Sequence, residues 1–310
     1  ITAPGISNLF SEMIGIWLVS TWETLGRPQR FNIVELGPGD GYLTKILLKT
    51  FKKFPKFYES TNIFLYEKSD LLKNLQKKNI NNLKVKWINN FNNIKTGPVI
   101  FFGNEFFDAI PIKQFSRKKN IFLEKYYLLN KDNKIDTIYK KASQKDILLI
   151  KNFKILKNLK FIELPKLGFN ELAKMIKKIS KLEGGLLLID YGYLTPKNKS
   201  TLQSVIKHKK NNLLDNLGKA DITSLVNFNL LNEFFIKNGL KVKKIVSQKF
   251  FLERMGIVER ANNMSRNMNF KEQSNLYLRL KRLLDVKLMG NLFKVIFTYK
   301  SKKNNFLGFK

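Results

Sequence analysis

Short, largely apolar runs recur along the chain, separated by segments in which apolar residues fall at helical spacing. Phe31–Leu36 and residues 62–66, 98–103 and 184–189 are the clearest of these runs. Their near-continuous apolarity is that of strands covered on both faces of a parallel sheet. Weaker strand patterns lie at residues 85–88, 240–246 and 292–299. Helical spacing is read at residues 43–52, 70–78, 168–181, 221–238 and 279–288. Ahead of the first strand, Ile6, Leu9, Phe10, Met13, Ile14, Trp17 and Leu18 predict an N-terminal helical segment within residues 1–30, closed near Gly26 and Pro28. Between 113 and 163 the period changes to 2 around a polar turn at 130–133, predicting an antiparallel β insertion. A helical insertion is expected at about 250–290. The expected fold is α/β: a Rossmann-like, doubly wound, mostly parallel sheet spanning 31–310, with its ligand at the carboxyl ends of strands one, two and four.

The first strand runs into Glu35-Leu36-Gly37-Pro38-Gly39-Asp40-Gly41 and then a helix. Glycine serves there because the backbone turns sharply and lies against a ligand with no Cβ in the way. The spacing is Gly-x-Gly-x-Gly rather than the dinucleotide Gly-x-Gly-x-x-Gly. It resembles the first motif of class I S-adenosylmethionine-dependent methyltransferases, in which the loop cradles the amino-acid part of the cofactor and the acid sits near its ammonium. Glu67, at the tip of the second strand, stands where an acid accepts hydrogen bonds from ribose hydroxyls. On these two features alone NAD remains open, and a glycine cluster by itself is an ordinary turn.

Composition narrows the chemistry. The 310 residues hold no cysteine and one histidine, His208. That removes thiolate nucleophiles and cysteine metal sites, and leaves no Ser-His-Asp arrangement and no metal site expected. His208, in a Lys-rich stretch, reads as a surface or loop residue. The net charge of +33 comes from 57 Lys and Arg against 24 Asp and Glu, and most of the excess is lysine. Arginine, the residue suited to phosphate and base recognition, is sparse. AT-rich codons suffice to explain so much Lys, Asn, Ile and Phe, so no specific nucleic acid is expected as a partner. No apolar run approaches the 18 or so residues of a transmembrane segment.

Past strand four stands Asn104-Glu105-Phe106-Phe107-Asp108-Ala109-Ile110-Pro111. Two carboxylates there can fix a guanidinium bidentately and aim its lone pair; equally, Asp108 can be a turn cap. Asp190-Tyr191-Gly192-Tyr193 either lines the same crevice or ends a strand, and Asp221 reads as a helix cap.

Nearly the whole chain resembles the MidA family. The resemblance rests on Thr2-Ala3-Pro4, Ile6-Ser7, Glu12-Met13-Ile14-Gly15, the glycine loop, residues 104–111, residues 189–193, Thr201-Leu202-Gln203, Asp221-Ile222-Thr223 and Met289-Gly290. It implies S-adenosyl-L-methionine bound through Glu35, Gly37, Pro38, Gly39, Gly41, Glu67 and Asn104, with Glu105 and Asp108 as catalytic acids. It also implies methylation of arginine on a protein substrate, a subunit of complex I (NADH dehydrogenase), in support of assembly of that complex. The compartment would be a bacterial cytoplasm or a mitochondrial matrix. Methylation of RNA or a small molecule, and a non-catalytic assembly chaperone, are the rival readings. Gly5 stands where family members usually carry an acid.

Overall fold

The computed structural model describes residues 2–132, 134–206 and 209–309; His208 lies outside the described residues. The chain folds as two compact units. The first takes residues up to Phe106, Lys174–Tyr191 and Gly239–Lys310; the second takes Phe107–Ala173 and Gly192–Asn238.

In chain order, the elements begin with helices α1 (Ala3–Ile6) and α2 (Asn8–Thr24), then strand β1 (Phe31–Leu36), α3 (Tyr42–Phe51), α4 (Pro55–Ser60) and β2 (Thr61–Tyr66). There follow α5 (Asp70–Asn79), β3 (Val85–Ile88), β4 (Val99–Asn104), β5 (Lys113–Lys118), β6 (Ile121–Leu129), β7 (Ile135–Lys141) and α6 (Gln144–Lys151). Next come β8 (Phe161–Leu164), α7 (Lys166–Leu182), β9 (Gly184–Tyr193), β10 (Gln203–Ile206), β11 (Lys209–Asn211), β12 (Asp221–Thr223), β13 (Val226–Asn227) and α8 (Phe228–Lys237). The chain closes with β14 (Lys241–Val242), β15 (Val246–Ser247), α9 (Gln248–Arg254), α10 (Ile257–Ser265), α11 (Phe270–Leu284), α12 (Met289–Leu292) and β16 (Phe293–Lys300).

The sheet of the first unit runs β14-β16-β9-β4-β1-β2-β3, with β15 also on β16. β3, β2, β1, β4 and β9 are parallel, and β16 enters antiparallel to β9. All six residues of β1 are buried, as a central parallel strand requires. Strand order reverses between β1 and β4, so a crevice opens where the connections leave β1 and β4. The fold is therefore a doubly wound, mostly parallel sheet with added antiparallel strands.

Helix α2 shows how the sequence builds the flank of that sheet. The Ser7 side chain accepts from Leu9 N–H and starts the helix. Leu9, Phe10, Met13, Ile14, Trp17 and Leu18 then recur at three- and four-residue intervals on one buried face. Gly15 lets α2 approach α3 closely, since a Cβ there would meet Thr50 at 3.0 Å. The Trp17 ring stands edge-on to Phe297 of β16 at 5.0 Å.

The second unit carries an antiparallel sheet ordered β7-β6-β5-β8 and a small sheet ordered β11-β10-β12. It extends beyond the insertion expected at 113–163, because residues 192–238 join it. Residues 221–238 were expected to form one helix. Instead β12 pairs with β10, and α8 starts only at Phe228, where the Asn227 side chain accepts from Leu230 N–H. Asp221 is accordingly a strand residue and not a helix cap. In place of a strand at 240–246, two short strands, β14 and β15, pair with separate stretches of β16. Four helices, α9 to α12, occupy most of residues 248–292.

Candidate cofactor and substrate site

The glycine loop begins where β1 ends. Gly37, Gly39 and Gly41 all sit at positive φ, at 58°, 57° and 83°. L-residues with a Cβ enter that region at a cost of about 1–2 kcal/mol. Gly41 opens α3, and a Cβ there would meet Ile80 at 2.6 Å, so its role is close helix packing. Gly39 is different: nothing stands within 4 Å of a Cβ placed on it.

Helix α5 holds the loop. Gln76, completely buried, donates from Nε2 to Gly39 O at 2.8 Å and to Glu67 Oε2 at 3.2 Å. Its Oε1 accepts from Trp87 Nε1 at 2.9 Å. Asn79 adds a bond from Nδ2 to Asp40 O at 2.9 Å. Glu67 Oε1 accepts from the backbone N–H groups of Lys68 and Ser69, both at 2.8 Å, which fixes the carboxylate at the entry to α5.

A cavity of about 520 Å³ lies over the loop, lined by Thr2, Pro4, Gly5, Glu35, Gly37, Pro38, Gly39, Asp40, Tyr42, Leu43, Asn104 and Glu105. That volume lies in the range of about 300–1,000 Å³ seen for small-molecule and cofactor sites. The cavity gathers six of the nine residues singled out from sequence: Glu35, Gly37, Pro38, Gly39, Asn104 and Glu105. Gly41, which closes the loop at the start of α3, and Glu67, which follows β2, are not among the cavity's lining residues. Asp108 belongs to the second unit, where it is buried and its backbone carbonyl accepts from Ser224 N–H at 3.1 Å.

The cavity's acids differ in setting. Glu35 is buried, and that burial pushes its carboxyl up to about 7; the hydroxyl of Thr44, which donates to it, pulls down, and the charge of Asp40 pushes further up. Glu105 follows the last residue of β4 in left-handed backbone, with φ 51°, and donates its N–H to Ile189 O at 2.9 Å. Such backbone costs about 1–3 kcal/mol and concentrates at functional sites. Its Oε1 accepts from Ala3 N–H at 3.3 Å and from Asn104 Nδ2 at 3.3 Å, so the start of the chain is tied to this carboxylate.

A nucleotide-type cofactor that carries positive charge fits these residues. Asn104 Oδ1 is buried with no hydrogen-bond partner in the protein while its residue lines the cavity. Such an acceptor is costly unless a ligand donor meets it. The open side of Gly39 and the carboxylates of Glu35 and Glu105 complete a cradle suited to a cation.

The architecture and site together define a Rossmann-like methyltransferase, and the comparisons agree. A family model described as S-adenosyl-L-methionine-dependent methyltransferase matches residues 13–246. The chain belongs to that family, the MidA-like S-adenosyl-L-methionine-dependent methyltransferases. It is similar to the protein arginine methyltransferase NDUFAF7, mitochondrial, of Xenopus tropicalis, at 26% identity over 95% of this chain and 74% of that protein. The protein of the same name in Homo sapiens is 25% identical over 94% of this chain and 71% of its own length. Among solved structures, a Burkholderia thailandensis protein bound to S-adenosyl-homocysteine superposes with a TM-score of 0.83 at 18% identity, over 99% of this chain and 80% of that one. The protein is thus a methyltransferase whose cofactor is S-adenosyl-L-methionine.

Sequence reasoning missed Gln76, Asn79, Tyr42 and the backbone of Ala3. Tyr42, directly after the last glycine, donates its hydroxyl to Asn8 Oδ1 at 2.7 Å and ties α3 to the start of α2. Its place at the first turn of the helix was the available signal.

Proposed function

We propose that the protein methylates an arginine side chain of a protein substrate, a subunit of NADH dehydrogenase (complex I), in support of that complex's assembly. One observation carries the reading: Glu105, in strained backbone at the end of β4, lines the same cavity as the glycine loop. The relatives' names, protein arginine methyltransferase, support the choice of arginine. Their mitochondrial designation favours the mitochondrial matrix as the compartment.

The cofactor supplies an activated methyl group on a sulfonium. The chain supplies position. Gly37, Pro38 and Gly39 would bring backbone against the amino-acid part of the cofactor, Glu35 would balance its ammonium, Asn104 Oδ1 would accept one of its donors and Glu67, after β2, would accept from its ribose. The Glu105 carboxylate pairs with the guanidinium, fixing its plane and discouraging water at the nucleophilic nitrogen. Asn104 Nδ2 and Ala3 N–H hold that carboxylate in place. A body of charge +33 repels a basic substrate at long range. Screening beyond about 8–10 Å leaves the acidic cavity to dominate at contact.

The test is methyl incorporation from labelled cofactor into purified NADH dehydrogenase subunits, with methylarginine read by mass spectrometry. Glu105→Gln should leave cofactor affinity within about threefold and depress turnover at least a hundredfold. Label in RNA or in a small molecule alone would overturn the assignment. So would partner binding without incorporation, which would make the protein a chaperone.

A further inference from the structure

The hairpin of β6 and β7 breaks the rule that the solvent side of an antiparallel ribbon is polar. Only Ile121 to Glu124 of β6 pair with β5, whereas pairing with β7 continues to Leu129↔Ile135. Residues 125–129 and 135–139 therefore form a two-stranded ribbon that pairs with no third strand among the described residues. A ribbon of that kind is marginal in water by itself.

Both of its faces carry apolar side chains: the even-numbered face has Phe122 and Glu124 buried at its base and Tyr126, Leu128, Ile138, Lys140 and Asp136 along the ribbon. The odd-numbered face carries Leu123, Tyr127, Leu129, Ile135 and Tyr139, with Lys125 and Lys141 as its charged residues and no carboxylate. Leu129 is 62% exposed and Tyr139 50% exposed. Lys125 lies over the Tyr127 ring at 4.8 Å. At the tip Leu128, on the other face, is also 52% exposed, and Lys131 and Lys134 flank Asp132 in the turn.

We propose that this ribbon docks the protein peripherally on an anionic lipid surface. Tyrosine and leucine enter the headgroup boundary while lysines face the lipid charge. Among the described residues no helix is long and apolar enough to cross a membrane, so the contact is one of surface attachment. Tyrosines suit a protein interface as well as a lipid one, so the lysines decide between them: protein interfaces deplete lysine, whereas an anionic lipid surface attracts it. The inference does not depend on the methyl-transfer reading.

The test is co-sedimentation of the whole protein with vesicles of phosphatidylcholine plus phosphatidylglycerol, against phosphatidylcholine alone. The mixed vesicles should bind it and the neutral ones should not. Because charge alone drives a basic protein to anionic surfaces, the deciding variant keeps its charge: Tyr127→Ser with Leu129→Ser should weaken partition about tenfold or more. Lys125→Gln should weaken it about fivefold. Leu129→Ser alone, a single exposed change, repeats the test should the double variant unfold in a thermal melt. No binding by the native protein, or binding unchanged by the serine variants, would overturn the proposal.

Discussion

Glu35 offers the sharpest test of the site's electrostatics. In the unfolded chain its carboxyl ionises near the ordinary 4.5; burial in the folded protein moves this to about 7. Below pH 4.5 both states carry the proton. Between 4.5 and 7 the unfolded state gives it up first, so stability falls as pH rises, and above 7 the penalty is constant. At about 1.4 kcal/mol per pH unit, the interval from 4.5 to about 7 is worth about 3 kcal/mol. Glu35→Gln keeps the shape and removes the titration. Urea unfolding of both proteins at pH 4.5 and pH 8 should show the stability difference moving by about 3 kcal/mol in favour of the variant at the higher pH. Other titrating groups cancel in that difference. Under the proposed role, the ionised carboxylate holds the cofactor's ammonium. Calorimetric affinity should then fall up to about tenfold per pH unit below 7 in the native protein and stay level in the variant. A stability difference that does not move with pH, or one that moves the other way, would refute the burial argument.

Other expectations are as direct. Gly39→Val forces a β-branched residue to φ 57° and fills the open side of the loop; cofactor binding should disappear from calorimetry, and affinity within threefold of native would contradict the cradle. Glu105→Gly relaxes the left-handed backbone and should raise stability by up to about 1 kcal/mol while abolishing methyl transfer; a lower melting temperature would mean the side-chain bonds outweigh the strain. Gln76→Ala strips partners from Gly39 O and Trp87 Nε1 and leaves a void, a loss of about 2–4 kcal/mol in urea unfolding together with weaker cofactor binding. Unchanged affinity in that variant would confine Gln76 to stability.

The sheet was legible because β1, β2, β4 and β9 are buried on both sides and so carry continuous apolar runs. The glycine loop was legible because its geometry demands residues without a Cβ. Helix α5 was not. Its leucines suggest an apolar face, yet Leu71 is 81% exposed while Gln76 is fully buried. Satisfying Gly39, Glu67 and Trp87 together decides that orientation, and no local pattern records partners so far apart. Residues 221–227 misled for a related reason. Ile222 and Val226 fit a helical period, but β12 and β13 find strand partners in β10 and β9.

The order of segments within the first unit bears on how the chain is made. β4 lies between β1 and β9, and roughly 80 residues separate the end of β4 from the start of β9. Synthesis at about 5–20 residues per second leaves β4 without its second neighbour for about 4–16 s. Through that interval a nascent half-sheet presents an apolar edge able to pair with any extended chain nearby. Slow decoding of residues 105–183 should therefore lower the soluble yield, whereas supplying the missing strand promptly, or a chaperone that covers the edge, should restore it.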